Sequence, residues 1–444
     1  MAGGTWVSQN KVRPGAYLNF KAVATPSVLI GSRGIATLAM NLDWGEEGKL
    51  IDLYSEDLAN GNSLAKVGLV VSDTGAKLLN LVLTNAYLCK VYKLNKGGTK
   101  ATATLGDLKV TAKYGGLFGN KIAIVIKKID TTKFDITTYA NGYEVNIQRV
   151  TGISELKPND YVSFEPVTGK ENPVLAEQSE TLLTGGTDGT ASETAYNDYL
   201  GLLRTSQWQT LAVTDSTKNE TVETFIKDMR ENEGKYVQAV LANYANADYE
   251  GIINVVNGIK MENETITPAE FTTYVAGMTA GAEITESNTG RVIEGATEIT
   301  NPLTNNEIIE GLSKGKFILS LNQNGNVKVE KDINSLHTFN EDRNYAFSKN
   351  RVIRTLDEIG TSIVSMWENT FLGKVSNTED GRIMFKSSII NYLTELQNQG
   401  AIQEFDSSNV EVLAGNDIDS VAAGIAIKPV DSMEFLYMTV NVTE

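Results

Sequence analysis

From residue 210 onward the sequence keeps changing its hydrophobic period. TLAVTD reads as a short apolar strand and TVETFIKDMRENEG after it as a helix. YVQAVLAN is a strand, and after a short loop GIINVVNG is another. TPAEFTTYVAGMTAGAE is a helix, with Thr267 as cap and Pro268 at its first position. NNEIIEGLSKG is a helix and KFILSLN a strand. Strand–helix alternation of this kind implies an α/β layer built on a largely parallel sheet. A chain of 444 residues has room for about three domains, and the segments on either side of this layer are of other kinds.

Residues 95–182 are rich in short strands: ATATLGDLKVTAKY, NKIAIVIKKI, KFDITTYANGYEVNIQRV and YVSFEPV. Asn141-Gly142, with DITTYA and YEVNIQ around it, is a hairpin signal. This region is expected to be an antiparallel β-sandwich. Residues 183–338 carry the α/β layer, and 25–94 supply a first part of the same core. From 339 to 432 the chain turns helical. NRVIRTLDEIGTSIVSMWENTFLG places Val352, Ile353, Leu356, Ile359, Ile363, Val364 and Trp367 near a 3.6-residue period, and GRIMFKSSIINYLTELQNQG follows. Both ends read as strands. RPGAYLNF lies in an extended arm of residues 1–24. MEFLYMTVNV lies in a second arm, 433–444, where Leu436, Met438, Val440 and Val442 alternate with Phe435, Tyr437, Thr439 and Asn441.

The composition removes several functions. The net charge is −16, from 39 basic and 55 acidic residues, which argues against a general nucleic-acid binder. One cysteine, Cys89, and one histidine, His337, rule out an internal disulfide, a thiolate metal site and a multi-histidine metal site within one chain. Neither a secretory leader nor a run of ~20 apolar residues is recognisable, so synthesis in a reducing cytoplasm without membrane contact is expected.

The motifs that carry chemistry elsewhere read here as structure. GLSKG matches G-x-S-x-G around Ser313, but a nucleophile elbow needs a strand before the serine and a helix after it, and the order is reversed. GGTDGT, Gly185 to Thr190, is expected to open a helix, with Thr190 and Glu193 as a capping box. It lacks both phosphate-loop spacings. His337, with Asp332, Glu341 and Asp342 near in sequence, reads as a solvated or hydrogen-bonded side chain. Asp43, Glu46 and Glu47 around Trp44 read as a solvated loop. No catalytic site, cofactor or metal is expected.

Five segments, in order, resemble those of contractile phage tail sheath proteins from myophages and phage-like particles of Gram-positive bacteria. RPGAYLNF resembles the family's Pro-Gly-x-Tyr strand. LLTGGTDGTASETAYNDYLGLL resembles its Gly-Gly-x-Asp-Gly approach to the α/β domain, and TPAEFTTYVAGMTAGAE its Val-Ala-Gly helix. KFILSLNQNGNVKVEKDINSLHTF with NRVIRTLDEI resembles its strand pair and Arg-bearing helix. YLTELQNQGAIQEF and the final strand resemble its C-terminal domain. The chain departs from the family at DINSLHT, where many relatives carry a Trp-Gly-Ala-Arg-Thr run.

The resemblance implies a subtilisin-like α/β core lacking catalytic residues, an inserted antiparallel β domain, an α+β C-terminal domain and extended terminal strands. It implies a helical homo-polymer of stacked hexameric rings around a tail tube protein. Baseplate and tail terminator proteins would be further partners, and nucleic acid would not. The particle would assemble in the host cytoplasm and remain in a virion or phage-like particle tail. Tyr17, Leu18, Asn19 and Phe20, with Leu436, Met438, Val440 and Val442, would be inter-subunit strands. An unpaired strand is a template for another chain, and twenty extended residues reach roughly 65 Å. Tube contact, being weak and polar, is expected at the basic residues Lys374, Arg382 and Lys386. Two rival readings remain: a hydrolase on an α/β core, which needs Ser313 or His337 in a pocket, and a surface binding protein that uses its β domain.

Overall fold

A computed structural model describes residues 2–4, 15–17, 33–70, 72–262 and 264–442. The chain divides into two compact units, Ser32–Asp357 with Asp431–Glu444, and Met1–Gly31 with Glu358–Val430.

The first unit is built on a seven-stranded sheet. Its spatial order is Lys316–Phe317, Ile252–Val255, Gln238–Ala242, Thr210–Ala212, Ile35–Met40, Leu88–Lys93 and Leu50–Tyr54. All neighbours are parallel except Leu50–Tyr54, which runs antiparallel to Leu88–Lys93. Gln238–Ala242 is buried at every position, as strands covered on both faces are. The two-residue period deals successive side chains to opposite cores. Ala36, Leu38, Val91, Val240 and Ile253 join one core with helices Lys77–Leu83 and Pro268–Gly281. Ala39, Tyr92, Ala239, Leu241 and Ile252 join the other with helices Ala195–Leu203 and Asn219–Glu231. Cys89 lies buried in the first core.

Helix Pro268–Gly281 starts with a complete capping box. Glu270 N–H donates to Thr267 Oγ1 at 3.3 Å, and Thr267 N–H donates to Glu270 Oε2 at 2.8 Å. Its Val-Ala-Gly run has a packing reason. A Cβ on Gly277 would lie 2.2 Å from the Val82 carbonyl oxygen, so only glycine lets this helix close onto Lys77–Leu83.

The β region holds two antiparallel sheets. One is ordered Tyr143–Val150, Phe134–Ala140, Ile122–Lys128, Gln178–Leu182, and the other Val162–Pro166, Leu108–Ala112, Thr102–Leu105. Ile124, Ile126, Ile136, Leu108, Val110 and Val162 fill one core between them. Trp44 belongs to that core and is 1% exposed, with rings of Tyr114 and Phe118 each 5.1 Å from its own. Asp43, Glu46 and Glu47 lie in a loop as expected, Glu47 exposed and the other two half-buried, while the indole among them turns into the core. The indole's apolar partners come from more than 60 residues away in sequence, while its acidic neighbours alone suggested solvent. Burial raises the Asp43 carboxyl above its usual range, with Lys121 opposing and Asp188 adding to the rise.

Two expectations are corrected. Thr190–Ala191 does not open a helix; it pairs antiparallel with Asn95–Lys96, and the helix begins at Ala195 after Thr194. The glycines here serve backbone approach, since a Cβ on Gly189 would lie 1.9 Å from the Lys96 carbonyl oxygen. Asp188 Oδ1 accepts the Leu117 N–H at 2.9 Å. KFILSL is not one strand. Lys316–Phe317 joins the large sheet, while Leu319–Leu321 pairs with Val327–Val329. The break comes where Leu319 N–H donates to Asn257 Oδ1 at 3.1 Å instead of to a sheet neighbour.

The chain passes from one unit to the other within helix Asn350–Met366. In the second unit a helical turn Trp367–Phe371 and helix Glu379–Asn398 are followed by two small antiparallel pairs. These are Ile402–Gln403 with Lys428–Pro429, and Val410–Ala414 with Val421–Ile425. Gly15–Tyr17 pairs in parallel with Ala2–Gly4, an in-chain partner the sequence pattern did not reveal. Leu18, Asn19 and Phe20 lie outside the described residues.

Candidate assembly surface

The residues that suggested enzyme chemistry are not brought together. Ser313 ends helix Asn305–Ser313, and its hydroxyl donates to the Glu310 carbonyl at 2.7 Å. His337 Nδ1 lies 2.9 Å from the Ser335 carbonyl oxygen and 3.3 Å from Asp248 Oδ1. Asp248 also accepts the His337 backbone N–H at 2.8 Å. Its carboxyl sits below the usual range although burial alone would raise it, because the His337 and Thr338 donors hold the ionised form. The imidazole's carboxylate partner is thus Asp248. Asp332 is instead fully buried against Arg354, 3.0 Å away. No cluster of three metal-binding side chains occurs among the described residues.

What stands out is unpartnered backbone and apolar surface. The expected C-terminal strand forms no ladder within the chain among the described residues. Phe435, Leu436, Tyr437, Met438, Val440 and Val442 are between 68% and 92% exposed. The Phe435 and Tyr437 rings stack 6.5 Å apart, as residues i and i+2 do on one face of an extended chain. Such a segment needs backbone partners and cover from water.

The second unit offers matching backbone. Val410–Ala414 and Val421–Ile425 pair only with each other, from Val410↔Ile425 to Ala414↔Val421. Neither outer edge has a ladder partner among the described residues. Asn377 Nδ2 holds the connecting turn by donating to the Ile418 and Ser420 carbonyls at 3.0 and 2.9 Å. Beside the hairpin lies a cavity of about 240 Å³ lined by Trp367, Phe371, Phe385, Arg382 and Val421.

The three expected tube-contact residues fall around this helix. Lys374 is exposed and donates to the Asn369 carbonyl. Arg382 is half-buried and donates to Asn377 Oδ1 at 2.9 Å. Lys386 is half-buried. Sequence reasoning missed the root of the C-terminal segment. There Glu434 accepts from Thr289 Oγ1 at 2.8 Å and from Lys349 Nζ, and Arg351 Nη1 bonds Ser432 Oγ at 2.7 Å. Burial alone would lower the Lys349 ammonium, but Glu434 and Asp431 outweigh it and the pKa is raised. Burial lowers that of the Arg351 guanidinium, with Asp431 opposing and Arg354 adding. The partners lie 85 and 145 residues from Glu434, so local patterning carries no signal of them.

Family models match along most of the chain: the phage tail sheath protein beta-sandwich domain at residues 96–188, its central domain at 189–335 and the phage tail sheath C-terminal domain at 342–443. The chain is 35% identical to the phage-like element PBSX protein XkdK of Bacillus subtilis, over all of both chains. It is 38% identical to the sheath tail protein of Desulfitobacterium hafniense. That crystal structure matches with a TM-score of 0.80, covering 94% of this chain and 97% of the other. The chain belongs to the phage tail sheath protein family. It is a structural protein, not an enzyme. Its fold also matches that of the sheath complex of an extracellular contractile injection system, PVC, in the contracted state. There the TM-score is 0.59 at 12% identity, covering 98% of each chain.

Proposed function

We propose that this sheath protein polymerises as stacked hexameric rings around a tail tube and contracts to drive the tube through a target cell envelope. One observation carries the reading: among the described residues the same chain presents an apolar terminal segment, Phe435–Val442, and a two-stranded hairpin, neither with a further ladder partner. Donor and acceptor on one chain make a head-to-tail lattice, because each subunit leaves a free edge for the next. Tyr17, Leu18, Asn19 and Phe20 at the other end would act as the second arm.

Each added hydrogen bond nets only about 1 kcal/mol, but a lattice multiplies it. The arms then behave as tethers. Globular parts can slide and turn as rigid bodies while the strands stay paired. The extended array is a kinetic trap held by weak contacts to the tube, at Lys374, Arg382 and Lys386. A baseplate trigger releases it, and a tail terminator closes the other end. No nucleotide or cofactor is required, because the energy is stored at assembly in the host cytoplasm. The parallel sheet with helices on both faces, carrying Ser313 and His337 in separate settings, supports a subtilisin-like core that has no protease machinery. On this reading the working division is arm 1–24, core 25–94 and 183–338, β-sandwich 95–182, C-terminal domain 339–432 and arm 433–444.

Negative-stain electron microscopy of the full-length protein and of a variant lacking residues 1–20 tests the proposal. Tubes or rings from the full chain, lost on deletion, are expected. Polymers that ignore the deletion would remove the N-terminal arm from the scheme. Monodisperse monomers, even with tube protein added, would favour a surface binding protein.

A further inference from the structure

The C-terminal segment changes character at one residue. The Glu434 side chain is 6% exposed and Lys349 4%, whereas Phe435 to Val442 are open to solvent. One Glu434 oxygen accepts from Thr289 Oγ1 and the other from Lys349 Nζ, with Lys331 Nζ 3.9 Å away. Lys349 also faces Asp431 at 3.3 Å. The Thr289 hydroxyl has its direction fixed, because its oxygen accepts the Asp332 N–H at 2.9 Å and its proton goes to Glu434. Asp332 in turn accepts from Asn288 N–H and Asn350 Nδ2 and pairs with Arg354. Glu434 is therefore connected, bond by bond, to the start of helix Asn350–Met366. Lys331 also lies 5.3 Å from the centre of the Phe435 ring.

We infer that Glu434 is the anchor of the C-terminal arm: the D-S-M-E run 431–434 docks as an acidic plug into a socket of Lys331, Lys349, Arg351 and Thr289, and the movable arm starts at Phe435. This rests on the strand-exchange reading and adds where the strand is fixed to its own subunit. A buried, doubly hydrogen-bonded carboxylate is screened little by salt, and charge-assisted bonds are the strong ones. An arm paired with a second copy of this chain thus pulls on a buried ion pair rather than on slack chain. The eight residues 435–442 span roughly 26 Å when extended, which sets how far from the anchor they can reach a neighbour.

Because Cys89 is buried, a cysteine placed at exposed Met433 or Met438 accepts a spin label selectively in the full-length protein. The expected result is a less mobile label at 433 than at 438, because the backbone at 433 is held by the anchor. Glu434→Gln should raise the mobility at 433 several-fold and leave 438 unchanged. Equal mobility at both sites in the parent, or no response to Glu434→Gln, overturns the anchor. Lys349 is itself buried, so a folding control is needed. Glu434→Asp, which keeps the carboxylate, should hold the 433 label nearer its parent mobility than Glu434→Gln does, and failure of a folded Glu434→Asp variant to do so counts against the ion pair. Polymer formation is read separately. If deleting residues 435–444 leaves polymers intact while the label data hold, strand exchange fails and the anchor stands.

Discussion

The seven-stranded sheet of the first unit and the two-stranded hairpin of the second solve opposite problems. The sheet covers both faces with helices and sends alternate side chains into two dry cores. Its stability is internal. The hairpin pairs Val410–Ala414 with Val421–Ile425, and neither outer edge has a ladder partner among the described residues. An isolated two-stranded hairpin is marginal and open edges invite pairing. One element holds the subunit together; on the proposed function the other is completed by a neighbour. Stability and assembly should therefore separate by mutation.

The sharpest separation comes from deleting residues 435–444. Polymers should vanish in electron micrographs, while the thermal midpoint of the subunit stays within the shift that about 0.5 kcal/mol produces. A large fall in the midpoint would mean that the arm also serves the core. The reverse case is Arg230→Met. Arg230 holds both Asp357 oxygens at 2.7 and 2.9 Å, with the two side chains 8% and 9% exposed. Leaving Asp357 buried without its partner should cost roughly 3–5 kcal/mol in denaturant melts, with polymerisation retained below the new midpoint. Gly277→Ala pushes a methyl into the Val82 carbonyl and should cost roughly 1–3 kcal/mol, again without loss of strand exchange.

The smallest effect belongs to the helix cap. Thr267→Ala should cost about 1 kcal/mol. Burial alone would raise the Glu270 carboxyl, but the Thr267 N–H and the Lys77 ammonium hold it below its ordinary value. Its contribution is present above the unfolded pKa of about 4.3 and is lost as pH falls through the lower folded value. Glu270→Gln should therefore shrink the acid-side loss of stability in melts run from pH 6 downward. An unchanged acid limb would exclude the carboxylate as its source.

Elements whose cause is local were legible in the sequence. Thr267-Pro268 with Glu270 announces a helix start, Asn141-Gly142 announces a hairpin, and the apolar runs at 238–242 and 252–255 announce covered strands. What escaped has a distant cause. GGTDGT reads as a helix start until Lys96 is seen against Gly189. Nothing local marks Trp44 as part of the β core until Tyr114 and Phe118 are seen against it. KFILSL reads as one strand until Asn257 takes the Leu319 N–H. At the assembly surface the alternation of 435–442 was visible, but its absence of an in-chain ladder was not. The Glu434 anchor joins residues far apart in sequence and was invisible altogether.

The order of the strands also sets a timetable. The large sheet takes its first strand from residues 35–40 and its last from 316–317, so it is complete only once three quarters of the chain has been made. The exposed segment 435–442 follows more than a hundred residues later. At roughly 5–20 residues per second of synthesis, that is a pause of several seconds or more. If 435–442 exchanges as proposed, a nascent subunit can close its core before it owns the strand with which it would capture a neighbour, and the direction of translation itself would keep folding and polymerisation apart.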